Sequence, residues 1–158
     1  MQPSEITLVV QIFQGLLTPV IAVVMVYIAW QQWKANERKL VLERYDRRLK
    51  IYQEVVSTLT LVLGNLKPEI TDLQRFRSAT AEADFLFESE ISEYIADVFK
   101  RGVLLWQANF EYCDYTKAPP PGYDHQKVVN QMHEQTVWFS KQYDVAKQKF
   151  KKYLDISR

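Results

Sequence analysis

Cysteine, glycine and proline are scarce in this chain of 158 residues, and each scarcity excludes a class of protein. The single cysteine, Cys113, excludes an internal disulfide framework and fits a reducing compartment. Only four glycines and six prolines are available for turns, and three of the prolines are adjacent, at residues 119–121. So few turn residues predict an all-α protein of a few long helices and argue against many short strands.

Charged side chains are absent from residues 6–30, a stretch long enough to cross a bilayer as one tilted helix. A cleaved signal peptide is the alternative, but residues 1–5 contain no Lys or Arg, and no small-residue cleavage motif follows. We therefore expect a transmembrane segment over residues 1–33, with its span at about 6–30. The remaining residues, 34–158, would form one helical domain.

The flanks of this segment predict its orientation. Trp30 and Trp33 suit the interface of a membrane, and the nearby bases, beginning with Lys34, all lie on the C-terminal side. The positive-inside rule then places the N-terminus outside the cell and residues 34–158 in the cytoplasm. Membrane lipid is accordingly an expected partner.

One side of the predicted span is polar or small, whereas its other sides are large and apolar. At 100° per residue, the polar or small side is formed by Gln11, Gln14, Gly15 and Thr18. Buried glutamines and close-packed small residues favour helix association, which indicates a homo-oligomer or a helical partner. The same stripe could line a water-filled path in a higher oligomer, and both interpretations remain open.

Helical periodicity dominates the rest of the chain. Apolar residues recur at steps of three and four over residues 34–66, 69–80, 89–112 and 124–153. In the first of these helices, the expected inward residues are Val41, Tyr45, Leu49, Tyr52, Val56, Leu59 and Leu63. The fold class is predicted to be all-α, with the membrane helix followed by an antiparallel cytosolic bundle of three long helices and one short helix.

Motifs of enzymes and metal sites are missing from the sequence. It contains no P-loop, no dinucleotide-binding glycine motif and no GxSxG. His133 and Glu134 begin a zinc-protease pattern, but Val137 stands where the second histidine is needed. The acids Glu88, Glu90, Glu93 and Asp97 favour a solvated helix face over an acid/base pair. We expect no enzyme activity, no metal and no cofactor.

Basic residues are concentrated at the two ends of the predicted cytosolic domain. Residues 34–50 hold seven Lys or Arg against three acids, and residues 141–158 hold six against two. The first group is either a collar attracted to anionic lipid or, in an oligomer, a phosphate-binding ring. The candidate ligand-binding residues are Arg44, Arg47, Arg48, Lys50, His133 and Lys141.

Two stretches, ERYDRRLKIY at 43–52 and ADFLFE at 83–88, resemble a group of uncharacterised bacterial single-pass membrane proteins with a cytosolic helical domain. This resemblance covers about residues 25–100, implies the bacterial inner membrane, and brings no settled activity. The architecture is also loosely similar to membrane-bound accessory effectors of type III CRISPR systems, which respond to cyclic oligoadenylate.

Two functional hypotheses follow. The first is a non-enzymatic effector of antiviral defence whose oligomeric cytosolic domain binds cyclic oligoadenylate and then triggers perturbation of the membrane. The second is a membrane-tethered adaptor or structural subunit that recruits a cytosolic protein and binds no small ligand. Neither hypothesis includes DNA as a partner.

Overall fold

A computed structural model describes the backbone of residues 3–114, 116 and 118–155, and the side chains of these ranges from residue 19 onward. The prediction of an all-α protein is confirmed, and no β-strand occurs in the part of the chain so described. Six helices follow one another: α1 Pro3–Asn65, α2 Ile70–Ala79, α3 Ala83–Leu86, α4 Ser89–Glu111, α5 His125–Ser140 and α6 Gln142–Lys151.

The chain divides into two compact units, Met1–Glu43 and Arg44–Arg158. In the first unit the large apolar side chains between Val20 and Trp33 are exposed, as are Leu40, Val41 and Leu42. Among the residues with described side chains, no helix has an apolar stretch long enough to cross a membrane. Residues 6–18 of the uncharged stretch, including Gln11, Gln14, Gly15 and Thr18, have side chains outside that description.

The second unit is a helical bundle in which α5 and α6 run antiparallel to α4. Near the start of α4, Glu90 pairs with Lys149 of α6. One turn further on, the Tyr94 hydroxyl donates to the Gln142 carbonyl oxygen at 3.4 Å. Later in α4, Arg101 donates to Gln135 of α5 at 3.3 Å. Successive residues of α4 therefore contact progressively earlier residues of α6 and then of α5, as antiparallel packing requires.

Contacts at both ends show that the bundle portion of α1 runs in the same direction as α4. Arg48 bonds to Leu86, just before α4, whereas Leu66, just after α1, accepts from Asn109 near the end of α4. Between them α2 returns in the opposite direction, because Leu73 packs beside Gly102 and Arg77 lies over Phe99. The bundle portion of α1, then α2, α4 and the pair of α5 and α6 thus alternate in direction.

The buried face of α1 differs from the face that its spacing predicts. The most deeply buried residues of α1 are Ile51, Val55, Leu59 and Val62. Of the expected residues, Leu59 is fully buried, and Tyr52 and Leu63 are partly buried against the core. Val41 is 66 % exposed and lies in the first unit. The predicted inward face was therefore wrong by about one residue along the helix. The reason is that α1 has two neighbouring apolar stripes, and both satisfy steps of three and four.

The predicted last helix is broken into two at Lys141. The backbone N–H of Lys141 donates to the Trp138 carbonyl at 3.1 Å. This bond spans three residues, whereas an α-helical bond spans four, and such shorter spans are common at helix ends. The buried side chain of Gln142 also donates to this carbonyl at 3.1 Å, so the break leaves the acceptor satisfied. Neither glycine nor proline occurs here, and for that reason the sequence pattern favoured one continuous helix.

Candidate functional site

Charged side chains from three parts of the second unit meet at one end of the bundle, which we call the charged end. Its members are Arg47 and Arg48 of α1, Glu82, Glu88 and Glu90 around α3 and the start of α4, and Lys149 and Lys152 at the end of α6. The chain folds this way because the corner around α3 reverses direction and places the acids beside both basic segments. The sequence predicted the bases at this site, but not the acids that neutralise them.

Arg48 is the most enclosed of the four predicted arginines and lysines of α1. Its Nε donates to the Leu86 carbonyl oxygen at 3.0 Å. Its guanidinium lies 5.7 Å from the centre of the Phe87 ring and 5.5 Å from that of Tyr153. Such contacts are worth about 0.5–2 kcal/mol each, depending on desolvation. Arg48 therefore acts as a bundle contact within one copy of the chain.

The other three bases of this group remain closer to solvent. Arg47 lies 3.6 Å from a carboxylate oxygen of Glu82, and both side chains are more than half exposed. A pair this exposed contributes little to stability, at most about 1 kcal/mol. Arg44 and Lys50 are exposed, and neither forms an ion pair with a described residue.

The acids of α4 are paired with lysines of α6. Lys149 lies 2.7 Å from Glu90, and Lys152 lies 3.0 Å from Glu88 and 3.4 Å from Glu90. The hydrogen bond from Lys152 lowers the pKa of Glu88, and the one from Lys149 lowers the pKa of Glu90. Both carboxylates are therefore held ionised, which is the opposite of what a general acid at neutral pH requires.

His133 and Lys141, the two remaining predicted ligand residues, lie elsewhere. His133 is exposed on α5, and Lys141 is exposed at the junction of α5 and α6. Lys141 adjoins Gln142, whose carbonyl meets Tyr94, whereas the arginines of α1 meet residues 82–87. Within one copy of the chain, the six predicted residues do not converge on a single site.

Aromatic and proline side chains gather at the opposite end of α4, which we call the aromatic end. Here the rings of Trp106 and Phe110 stack with centroids 5.9 Å apart, and Phe110 is 80 % exposed. Beside Phe110, an open groove of about 690 Å³ is lined by Pro120, Pro121 and Tyr123. Exposed apolar surface with a polar rim is typical of interaction sites.

The loop at this end is held in place by hydrogen bonds. The Tyr123 hydroxyl accepts from the backbone N–H of Cys113 at 3.0 Å and lies 3.2 Å from Nδ1 of His125. The Asp124 side chain caps α5 by accepting from the N–H of Lys127 at 3.1 Å, as the sequence indicates for an Asp before a helix. The groove beside Phe110 thus has a defined wall, although residues 115 and 117 lie outside the described chain.

A third feature, which sequence reasoning missed, is a groove between α2, α3 and α4 that we call the side groove. It encloses about 410 Å³, and Arg77 and Asp84 are among its lining residues. Arg77, Ala83 and Ile95 come from three different elements, so no local pattern identifies them as one surface. The partly exposed Phe99 packs against the core and also forms a wall of this groove.

In the part of the chain with described side chains, no three His, Cys, Asp or Glu residues come together. The three features identified above are the candidate sites that the fold offers. Comparison of the chain with protein-family models, with curated proteins and with solved structures gave no match.

Proposed function

We propose that this chain is a single-pass protein of a bacterial cell membrane and that its bundle is an adaptor for a cytosolic protein. In this proposal residues 6–30 span the bilayer, the N-terminus lies outside, and residues 34–158 lie in the cytoplasm. The protein catalyses no reaction and holds neither metal nor cofactor. The two parts of the proposal, the anchor and the adaptor, rest on different observations.

Exposed apolar side chains in the first unit support the anchor. Val23, Val24 and Val26 are at least half exposed and point in three different directions, because successive residues of a helix are 100° apart. A single protein surface could cover only one of these directions, whereas lipid surrounds a helix completely. The 25 uncharged residues from 6 to 30 match the thickness of a bilayer.

Alkaline carbonate extraction of membranes from cells that express the full chain tests the anchor. The wild-type chain should remain in the membrane pellet, and a variant with Val20→Arg and Ile21→Arg should move to the supernatant, because charges near the middle of the span are costly. The matched control is Leu40→Arg with Leu42→Arg, outside the proposed span, which should stay in the pellet. Release of the wild-type chain by carbonate would contradict the anchor.

The aromatic end carries the adaptor proposal. Phe110 is 80 % exposed, is stacked on Trp106, and forms one wall of a groove whose other wall is the proline loop. Aromatic side chains in such positions commonly provide much of the binding energy of a protein interface. The charged end offers less to a partner, because most of its charges are already paired within the bundle.

Affinity purification of the full chain in mild detergent tests the adaptor proposal. We expect a cytosolic protein to copurify in stoichiometric amount and to be lost from Phe110→Ala. The matched control is Phe85→Ala, a second exposed phenylalanine that is distant in sequence and should retain the partner. Purification of the wild-type chain without a stoichiometric protein would argue against an adaptor.

The nucleotide-responsive effector is the second candidate, and two exposed bases favour it. Arg44 and Lys50 have no ion-pair partner among the described residues, so copies of the chain could present them together to a phosphate. Titration calorimetry of the full chain in detergent with cyclic oligoadenylates should then show binding that Arg44→Glu removes. Absence of heat at micromolar protein would exclude the messenger. Replacement of Gln11 and Gln14 by Leu tests whether the polar stripe perturbs the membrane.

A further inference from the structure

The side groove combines an apolar floor with two charged residues of opposite sign. Ala83 and Ile95 are buried at its floor, and Phe99 forms a wall. Its volume of about 410 Å³ is sufficient for a large side chain, and it lies in the range of small binding sites. The question is which group of matching chemistry occupies it.

The charges of Arg77 and Asp84 are not neutralised by an ion pair within the described part of the bundle. The Arg77 guanidinium lies 5.3 Å from the centre of the Phe99 ring, which leaves its N–H groups free to bind a carboxylate. Within the described chain neither Arg77 nor Asp84 takes part in an ion pair, although both line the same groove. They therefore do not neutralise each other and are available to a partner with the opposite arrangement of charges.

An exposed aromatic residue directly follows a lining residue of this groove in the chain. Phe85 follows Asp84 in α3 and is 89 % exposed, the highest value among the exposed large hydrophobic residues. The two residues next to the corner, Ala83 and Phe87, are buried, so α3 is anchored and Phe85 is held outward by a packed backbone. Phe85 is thus an exposed apolar knob, and it lies one residue along the chain from the lining of an apolar hole, the side groove.

We propose that the side groove binds a second copy of this chain. Phe85 of each copy enters the groove of the other, and Asp84 pairs with the partner's Arg77. Such a two-fold contact needs a surface that complements itself, so that each residue pair occurs twice. The groove supplies the hole, the cation and the anion, and the knob directly follows the anion in the chain, so one copy carries both halves of each pair. The contact goes beyond the proposed function and is independent of what the aromatic end binds.

The size of the groove implies a weak contact that acts between neighbouring chains. One phenylalanine and one ion pair from each side cover less surface than a stable dimer in solution needs. Confinement of chains in the same membrane raises their effective concentration and would make such a contact significant. The test must therefore report on this surface in intact membranes, and not on the mass of the purified protein.

Photocrosslinking of the full chain in membranes provides this report. A benzoylphenylalanine at position 85 keeps an aromatic knob and forms a covalent bond with whatever lies beside it on illumination. We expect a crosslinked dimer in which mass spectrometry places the adduct on a residue of the side groove, such as Ala96 or Phe99. An adduct with a different protein, or with another face of a second copy, would overturn the proposal.

Charge reversal then tests the predicted pairing. Arg77→Asp alone and Asp84→Arg alone should each reduce the crosslinked dimer about tenfold, because each places like charges opposite one another. Coexpression of the two variants should restore the dimer, since Asp at 77 in one chain then faces Arg at 84 in the other. The matched control is Arg75→Asp, also exposed on α2, which should leave the dimer unchanged. Equal crosslinking by all variants, or no restoration in the mixed pair, would overturn the pairing.

Discussion

The guanidinium of Arg48 lies 5.5 Å from the centre of the Tyr153 ring. This contact joins the start of the bundle portion of α1 to the turn that follows α6. Tyr153 also packs edge-on against Phe87, with ring centroids 5.1 Å apart, so three separate segments meet at this point. A charged residue that the sequence presents as a ligand-binding candidate thus has a structural role in the bundle.

Replacement of Arg48 by lysine should destabilise the bundle by about 1–2 kcal/mol. Lysine keeps the charge but lacks the planar group that bonds to the Leu86 carbonyl and lies over two rings. The measurement is thermal or urea unfolding of the full chain in detergent, followed by circular dichroism. Arg44→Lys is the control and should change the free energy of unfolding by less than about 0.5 kcal/mol, because Arg44 is exposed. Equal effects of the two substitutions would refute this role of Arg48.

Alanine should have opposite effects at two helical glycines. A Cβ at Gly102 would lie 2.6 Å from Cδ2 of the buried Leu73, whereas a Cβ at Gly64 would meet nothing within 4 Å. Gly64→Ala should therefore stabilise the chain by up to about 1 kcal/mol through helix propensity. Gly102→Ala should destabilise it, since overpacking in a core typically costs about 1–3 kcal/mol.

A smaller residue at position 73 makes this test specific. In a Leu73→Val background, Gly102→Ala should cost less than in the wild type, because the nearest contact atom has then been removed. Unfolding of the four chains gives the coupling energy directly. Additive effects would mean that Leu73 is not the neighbour that excludes a side chain at Gly102.

Stability should fall on acidification through the pairs at the charged end. Glu88 and Glu90 have a lowered pKa in the folded chain, so the unfolded chain takes up protons first as the pH falls through 4.5, the ordinary value. Their contribution is therefore present above that pH and is lost as the pH falls through the lowered values. The double variant Glu88→Gln, Glu90→Gln should show a weaker loss of melting temperature below pH 5 than the wild type. An identical pH profile would contradict this origin.

The side chain of Gln142 should stabilise the break between α5 and α6. Its amide donates to the Trp138 carbonyl, and removal of the donor leaves that acceptor without its side-chain partner. Because the carbonyl keeps the N–H of Lys141 as a partner, Gln142→Ala should cost about 0.5–1.5 kcal/mol, the net value of one hydrogen bond. Gln148→Ala, an exposed position in α6, should have little effect. Faster amide hydrogen exchange around residue 141 in the first variant alone would identify the site of the loss.

Local patterns in the sequence were sufficient to predict the helical elements. The bounds expected for the second and third bundle helices, 69–80 and 89–112, agree with α2 and α4 to within one residue at each end. This succeeds because both helices have one amphipathic face and end at residues that disfavour continuation. Leu73 and Phe76 of α2, three residues apart on this face, are both buried.

Local patterns could not predict contacts between residues that are distant in the chain. The pairing of Lys152 with Glu88 joins residues 64 positions apart, and no periodicity within either segment predicts it. The side groove likewise draws residues from three elements. The two apolar stripes of α1 also satisfied the same periodicity. Only packing against the other helices decided that the stripe containing Val55 is the buried one.

The sequence by itself determined that the chain is helical, where its helices turn, and that residues 6–30 carry no charge, because composition and periodicity are local properties. Only the tertiary structure decided which basic side chains remain available to a ligand or a partner. Arg48 and Lys152 are engaged by groups from distant segments, whereas Arg44 is not. The energy of a charge depends on what surrounds it in space, and folding brings these surroundings together from parts of the chain that no local pattern connects.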